Sequence, residues 1–386
     1  MTTDQQGPAS QSQSAVEGWR AGQRIVIKLG SALMVDGQTR AIRHDWLNSV
    51  CADIKALRAR GTETVIVSSG AIALARRQMG LLDGRPTLAE KQALAAIGQI
   101  GLYRAWQEAL GQHGLVAAQF LLTPGDTENR RRHLNARSAL EATLAMGAVP
   151  VINENDALSV TEQRFGDNDR LGARVAQMAS ASTLVLFSDI EGLFTADPRT
   201  HEDAAHIPVV ARLDERIMDM GGAPPPGFST GGMHTKLLAA RIATRAGTEM
   251  IIADGRAPHP LQRLEDGERC TRFLPDIHAG TARKRWIAGV LSPEGSLTLD
   301  EGALAAIREG ASLLPIGVRS VGGHFKRGDV VALLNHHGKA IGRGVAEYSS
   351  KDAQILMGHR LEEMDSLLGY HGRNALMDHN SIILDS

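Results

Sequence analysis

The sequence predicts an α/β protein: a three-layer αβα sandwich built on a parallel sheet, plus a small β-rich barrel domain. Three observations carry this. Short apolar, β-branched runs alternate with helical patterns of 10–17 residues through most of the chain, which is the pattern of βαβ units. Polar residues collect where those runs end. Near residue 283 the alternation stops, and short strand-like pieces with Gly-rich turns take over.

Taken in order, residues 1–22 are polar, lack the apolar core of a secretory signal, and read as a disordered tail. Arg24 to Leu29 is a buried strand running into Gly30. His44 to Arg60 places Trp46, Leu47, Val50, Ile54 and Leu57 at helical spacing and stops at Gly61. Thr64 to Val67 is a strand that ends in Ser68-Ser69-Gly70-Ala71. Helices over 88–112 and 130–146 flank a strand over 115–122. Val149 to Asn153 is a strand, 169–180 a helix, Thr183 to Phe187 a strand, 234–246 a helix and 249–253 a strand. The later strands are Ser296 to Leu299, Gly317 to Val321, Val330 to Leu334 and Ala340 to Val345. The expected division is a tail (1–22), a main domain (23–275), a linker (276–292), a second domain (293–375) and a C-terminal tail (376–386).

Composition excludes several classes. Lys+Arg is 42 and Asp+Glu 43, so the chain is not basic throughout, as a general nucleic-acid binder would be. Aromatics are 4%, too few for a single-strand stacking platform. The two cysteines, Cys51 and Cys270, have no zinc or disulfide spacing around them. No apolar run approaches a membrane span, and a cytoplasmic protein is expected.

The residues suited to chemistry sit at strand ends, the ligand edge of an open parallel sheet. Lys28 precedes Gly30, whose backbone can face an anion. Ser68-Ser69-Gly70 stands at a strand-to-helix turn. Thr230-Gly231-Gly232-Met233-His234-Thr235-Lys236 puts a glycine pair before a helix and a lysine in its first turn, a phosphate cradle without the Walker A pattern. Asn153-Glu154-Asn155-Asp156 and Gly166-Asp167-Asn168-Asp169 form two acidic, amide-rich loops. These suit either an ammonium-bearing substrate or a Mg²⁺ ion held mostly by phosphates and water. His44, His201, His206 and His336-His337 lack partners at ligating spacing and read as surface or capping residues.

On VIKLGSALM, VIVSSGAIALA, KQALAAIGQIGL, PVINENDALS, FGDNDRLGA, LFSDIEGLFTADPR and STGGMHTKLLAA, the chain resembles the amino acid kinase superfamily over about residues 24–375. The segment 296–335 is similar to a PUA domain. The resemblance implies transfer of the ATP γ-phosphoryl to the γ-carboxylate of L-glutamate, the first step of proline biosynthesis. It places Lys28, Ser188, Asp189 and Thr230 to Lys236 (with Gly231, Gly232, Met233, His234 and Thr235) on ATP. Ser69, Asn153, Asp156 and Asn168 fall on the amino acid. Asp167 and Asp169 would organise Mg²⁺ and the lysines, so that Lys28, Lys236 and Asp169 form the catalytic set. Ser188 stands where the family more often has Thr and keeps the hydroxyl. The family also implies a homo-oligomer, proline as feedback inhibitor and a glutamyl phosphate reductase as a possible partner.

The chemistry is consistent with this. A carboxylate of pKa about 4.3 is already an anion at neutral pH, so the nucleophile needs no general base. The obstacle is repulsion from phosphate oxygens, which lysines, Mg²⁺ and loop amides answer. An acidic pocket favours free glutamate, with its α-ammonium, over N-acetylglutamate; aspartate is harder to exclude. The alternatives are thus another amino acid kinase, or an RNA-binding protein led by the second domain. The latter rests on Arg319, Lys326, Arg327, Lys339 and Arg343 facing only Asp329 over 315–345, with Phe325 the one aromatic there.

Overall fold

The computed structural model describes residues 18–39, 41–81, 84, 86–158, 168–222, 232–276, 293–370 and 372–385. The chain opens with β1 (Arg24–Leu29), α1 (Ser31–Met34), α2 (His44–Ala59), β2 (Glu63–Ser68), α3 (Ala71–Gln78) and α4 (Leu88–Gln112). It continues through β3 (Ala117–Leu122), α5 (Pro124–Glu128), α6 (Arg130–Ala145), β4 (Val149–Glu154), α7 (Asn168–Met178) and β5 (Thr183–Ser188). A hairpin of β6 (Leu193–Phe194) and β7 (His206–Ile207) follows. Then come β8 (Val209–Val210), α8 (Glu215–Asp219), α9 (Met233–Arg245), β9 (Glu249–Asp254), α10 (Pro260–Glu265) and β10 (Cys270–Phe273).

Eight strands form one sheet in the order β3-β4-β2-β1-β5-β9-β10-β8. Strand periodicity sorts the core into two faces. Ile25, Ile27 and Leu29 pack with Trp46, Leu47, Ile54, Leu102 and Trp106 of α2 and α4. Val26, Leu184 and Leu186 pack with Leu140 of α6, Leu171 and Val175 of α7, and Leu237 of α9. Helices on both faces of the sheet make the three layers. Each such buried side chain contributes about 1.5–3 kcal/mol of transfer free energy.

Two expectations need correction here. The sheet is not wholly parallel, because β10 runs antiparallel to β9. The six-residue α10 between them is about 9 Å long, too short to carry the chain back along a strand of about 20 Å. Residues 18–22 are ordered rather than part of a tail: Trp19 is buried, its backbone N–H donates to Glu265 Oε1 (3.3 Å), and Gly22 N–H donates to the Gly61 carbonyl.

The chain divides into two compact units, the first reaching Asp276. The second holds β11 (Gly295–Leu299), α11 (Glu301–Arg308), β12 (Val318–Gly323), β13 (Val330–Leu334), β14 (Ala340–Val345), α12 (Ser350–Leu356), α13 (Met364–Leu368) and β15 (Ile382–Leu384). Its sheet order is β12-β11-β13-β14-β15 around a core that includes Leu297, Val331 and Leu333. Residues 376–385 do not form the expected tail, since β15 pairs with β14 and Leu376 and Met377 are buried. The basic face is also less basic than a window count suggests. Arg319 pairs with Asp300 (3.2 Å) and Arg327 with Glu347 (3.5 Å), acids that lie outside that window.

Candidate active site

β1 places Lys28 one residue before its end, between β2 and β5. α7 crosses this strand closely. A Cβ on Gly172 would meet Lys28 Cβ at 3.4 Å, so the glycine lets the lysine stem run along the helix. Asp169 is the second residue of α7, where a carboxylate faces the positive end of the helix dipole. Lys236 lies in the first turn of α9, behind Gly232.

These three side chains meet. Lys28 Nζ forms an ion pair with Asp169 Oδ1, and Lys236 Nζ donates to Asp169 Oδ2 at 3.0 Å. Asp169 is fully buried, and the lysines are 6% and 4% exposed. Burial pushes the Asp169 carboxyl up, but the two ammonium groups outweigh it and hold the group down at about 2. The Thr235 hydroxyl donates to the Gly232 carbonyl at 2.8 Å and sits 3.5 Å from Asp169 Oδ2. Cations 208 positions apart in the chain thus share one carboxylate at the sheet edge. Each ammonium carries three N–H donors, so each keeps donors beyond the one facing Asp169.

On one side lies a polar network. Asn168 Nδ2 donates to the Ser68 carbonyl and to Asn153 Oδ1, both at 3.1 Å. Asn153 Nδ2 donates to Gln99 Oε1 at 2.8 Å. The Ser69 hydroxyl donates to the Leu29 carbonyl at 3.2 Å, tying the ends of β2 and β1 together. Gly70 takes φ +119°, a left-handed value that favours glycine at this turn. A cavity of about 550 Å³ opens beside the network, lined by Gln99 and Tyr103 of α4, Gln119 of β3, and Asn153, Glu154 and Asp156. Asn153 and Asp156 line this cavity, Asn168 reaches it through its bond to Asn153, and Ser69 bonds the Leu29 carbonyl instead.

On the other side, Ser188 ends β5, and its hydroxyl donates to Asp189 Oδ1 at 3.0 Å. Its carbonyl accepts from Gly255 N–H at 2.9 Å, fixing it beside the end of β9. Met233, His234 and Thr235 open α9. His234 Nδ1 is buried and has no hydrogen-bond partner among the described residues. Asp167, Thr230 and Gly231 lie outside the described residues. Among the described residues no group of three His, Cys, Asp or Glu could hold a metal ion.

The sequence points to no role for Gln99 or Trp106, and to Ser68 only as part of the Ser68-Ser69-Gly70 turn. Gln99 offered a faint signal as a polar residue inside the small, apolar stretch 93–102. Trp106 offered none, and the pairing of Ser68 with it left no trace in the sequence, because that hydrogen bond joins β2 to the middle of α4.

The model of the amino acid kinase family matches residues 23–254, and that of the PUA domain matches residues 295–368. A glutamate 5-kinase of Gluconobacter oxydans is 59% identical over 94% of this chain and 96% of its own. One from Paramagnetospirillum magneticum is 51% identical over 95% and 98%. Among solved structures, a carbamate kinase from Giardia lamblia bound to AMP-PNP shares 16% identity at a TM-score of 0.49, over 66% of this chain and 99% of that one. No helix of the described residues is long and apolar enough to cross a membrane. The chain belongs to the amino acid kinase family and, within it, to the glutamate 5-kinases.

Proposed function

We propose that this chain transfers the γ-phosphoryl of ATP to the side-chain carboxylate of L-glutamate, giving L-glutamyl 5-phosphate at the start of proline biosynthesis. The observation that carries the reading is the Lys28–Asp169–Lys236 cluster, two buried ammonium groups held by one carboxylate between a cavity whose lining includes Glu154, Asp156 and several amides and a Gly-led helix start. In phosphoryl transfer the protein mainly positions groups and neutralises charge. Lys28 and Lys236 would donate to phosphate oxygens from two elements, and Asp169 would hold both stems at a fixed separation. Gly232, Met233, His234 and Thr235, with Ser188 and Asp189, form the nucleotide side. Ser69, Asn153, Asp156 and Asn168 form the amino acid side, where Asp156 would pair the α-ammonium of glutamate. No base is assigned, because the attacking carboxylate is already ionised.

The donor set fits Mg²⁺ as an ion carried on the nucleotide. Asp169 is taken up by two lysines, so phosphates and water would supply most ligands, as Mg²⁺ prefers. When bound, Mg²⁺ supplies charge neutralisation at the phosphates. Family membership further supports a homo-oligomer, proline as feedback inhibitor and a reductase that consumes the acyl phosphate.

The test is ATP turnover with L-glutamate, L-aspartate and N-acetyl-L-glutamate side by side, with the acyl phosphate trapped by hydroxylamine. Hydroxamate from L-glutamate, and little from the other two, is expected. Turnover on N-acetyl-L-glutamate in place of L-glutamate would refute the assignment of Asp156.

A further inference from the structure

The hydrogen bonds of the acceptor side close into a circuit that begins and ends on α4. The indole N–H of Trp106 donates to Ser68 Oγ at 2.9 Å. The Ser68 hydroxyl donates in turn to Met34 Sδ at 3.0 Å, so its proton is already committed and its lone pair is aimed at the indole. The Ser68 carbonyl takes one hydrogen of the Asn168 amide. Asn168 also donates to Asn153, and Asn153 donates to Gln99, seven residues before Trp106 on the same helix. Trp106 and Ser68 are fully buried and Asn153 is 4% exposed. In such surroundings a polar link of this kind fixes orientation strongly, because the unpaired alternative is costly.

Two of the circuit's members, Asn153 and Asn168, stand on the proposed amino acid side, and Ser69 directly follows Ser68. Trp106 is fully buried and is not among the described residues that line the cavity. Burying an indole and satisfying its N–H could have been done by any nearby backbone carbonyl. Here the partner is instead the side chain of the residue whose backbone orients Asn168.

We propose that Trp106 is a positioning residue for the acceptor amino acid. Through Ser68 it sets the end of β2, and through the Ser68 carbonyl it sets the amide of Asn168 against Asn153. This assignment rests on the functional reading above.

The experiment compares Trp106→Phe, Ser68→Ala and the double variant. The readouts are KM for L-glutamate, KM for ATP, kcat and the melting temperature. Each single variant should raise KM for L-glutamate about three- to tenfold, the change carried by one neutral hydrogen bond. KM for ATP should stay within about twofold, because the nucleotide side lies outside the circuit. The double variant should match the worse single one, since both break the same link. Equal rises for ATP and glutamate, fully multiplicative effects, or a lowered melting temperature with unchanged KM would each overturn the assignment. Ser68→Ala removes only a hydroxyl, so its KM split decides the matter even if Trp106→Phe fails to fold. Turnover of L-glutamate by the unsubstituted chain is measured first. With that turnover present, a flat KM condemns the role of Trp106 and leaves the functional reading intact; without it, both fall.

Discussion

Replacing Asp169 by Asn changes almost no volume but removes the negative charge that bridges two buried ammonium groups. The amide oxygen can still accept from one lysine, while its NH₂ faces the other. Breaking a buried charge cluster by removing one partner costs about 3–5 kcal/mol, because the remaining charges are left uncompensated. In a domain of this size a loss of about 3 kcal/mol lowers Tm by about 6–12 °C. Both lysines also lose the group that sets their positions. The expected fall in kcat is at least about tenfold, or about 1.4 kcal/mol at the transition state. A bound triphosphate would replace the missing negative charge, so ATP with Mg²⁺ should raise Tm more in Asp169→Asn than in the unsubstituted protein. Lys236→Ala should lower kcat by a similar factor with a smaller stability loss, since Asp169 keeps Lys28. The assays are coupled ADP release with saturating L-glutamate and melting curves with and without ATP. Unchanged kcat in Asp169→Asn, or no added protection by ATP, would refute the reasoning.

Three further outcomes are expected. Because the folded-state carboxyl of Asp169 is held down at about 2, below its ordinary 3.8, its contribution to stability is present above about pH 4. That contribution is lost as pH falls from there towards 2, and urea midpoints of Asp169→Asn should show a shallower drop over this range. Burial pushes the Cys51 thiol up to about 12 and that of Cys270 to about 11. At pH 8 iodoacetamide should therefore leave both unmodified in the folded protein and alkylate both in urea, as read by intact mass. Gly98→Ala would put a Cβ 1.8 Å from the Ala71 carbonyl oxygen and should cost about 3 kcal/mol, whereas Gly101→Ala, with nothing within 4 Å, should be neutral or stabilise by up to about 1 kcal/mol in denaturant titrations.

Much of the architecture was written in local pattern. The helix expected over 88–112 is α4 to the residue, and the spacing of Trp46, Leu47, Val50, Ile54 and Leu57 marks the face that α2 buries. The short elements escaped notice. α1, α5, α8 and α10 have four to six residues, and β6, β7 and β8 have two each, too few to establish a period. β15 escaped because three residues gain strand character only by pairing with β14.

The sequence by itself determined the α/β class, the strands of the ligand edge and the residue types available there, since these follow from side-chain periodicity, turn residues and motif chemistry along the chain. Only the tertiary structure decided that Lys28 and Lys236 share one carboxylate, that Asn153 and Asn168 bond to each other, and that α4 reaches them through Gln99 and Trp106. Those contacts depend on β1 lying between β2 and β5 and on Gly172 letting α7 lie close to Lys28. Strand order and helix approach arise from how the whole chain packs, so no local stretch of residues encodes them.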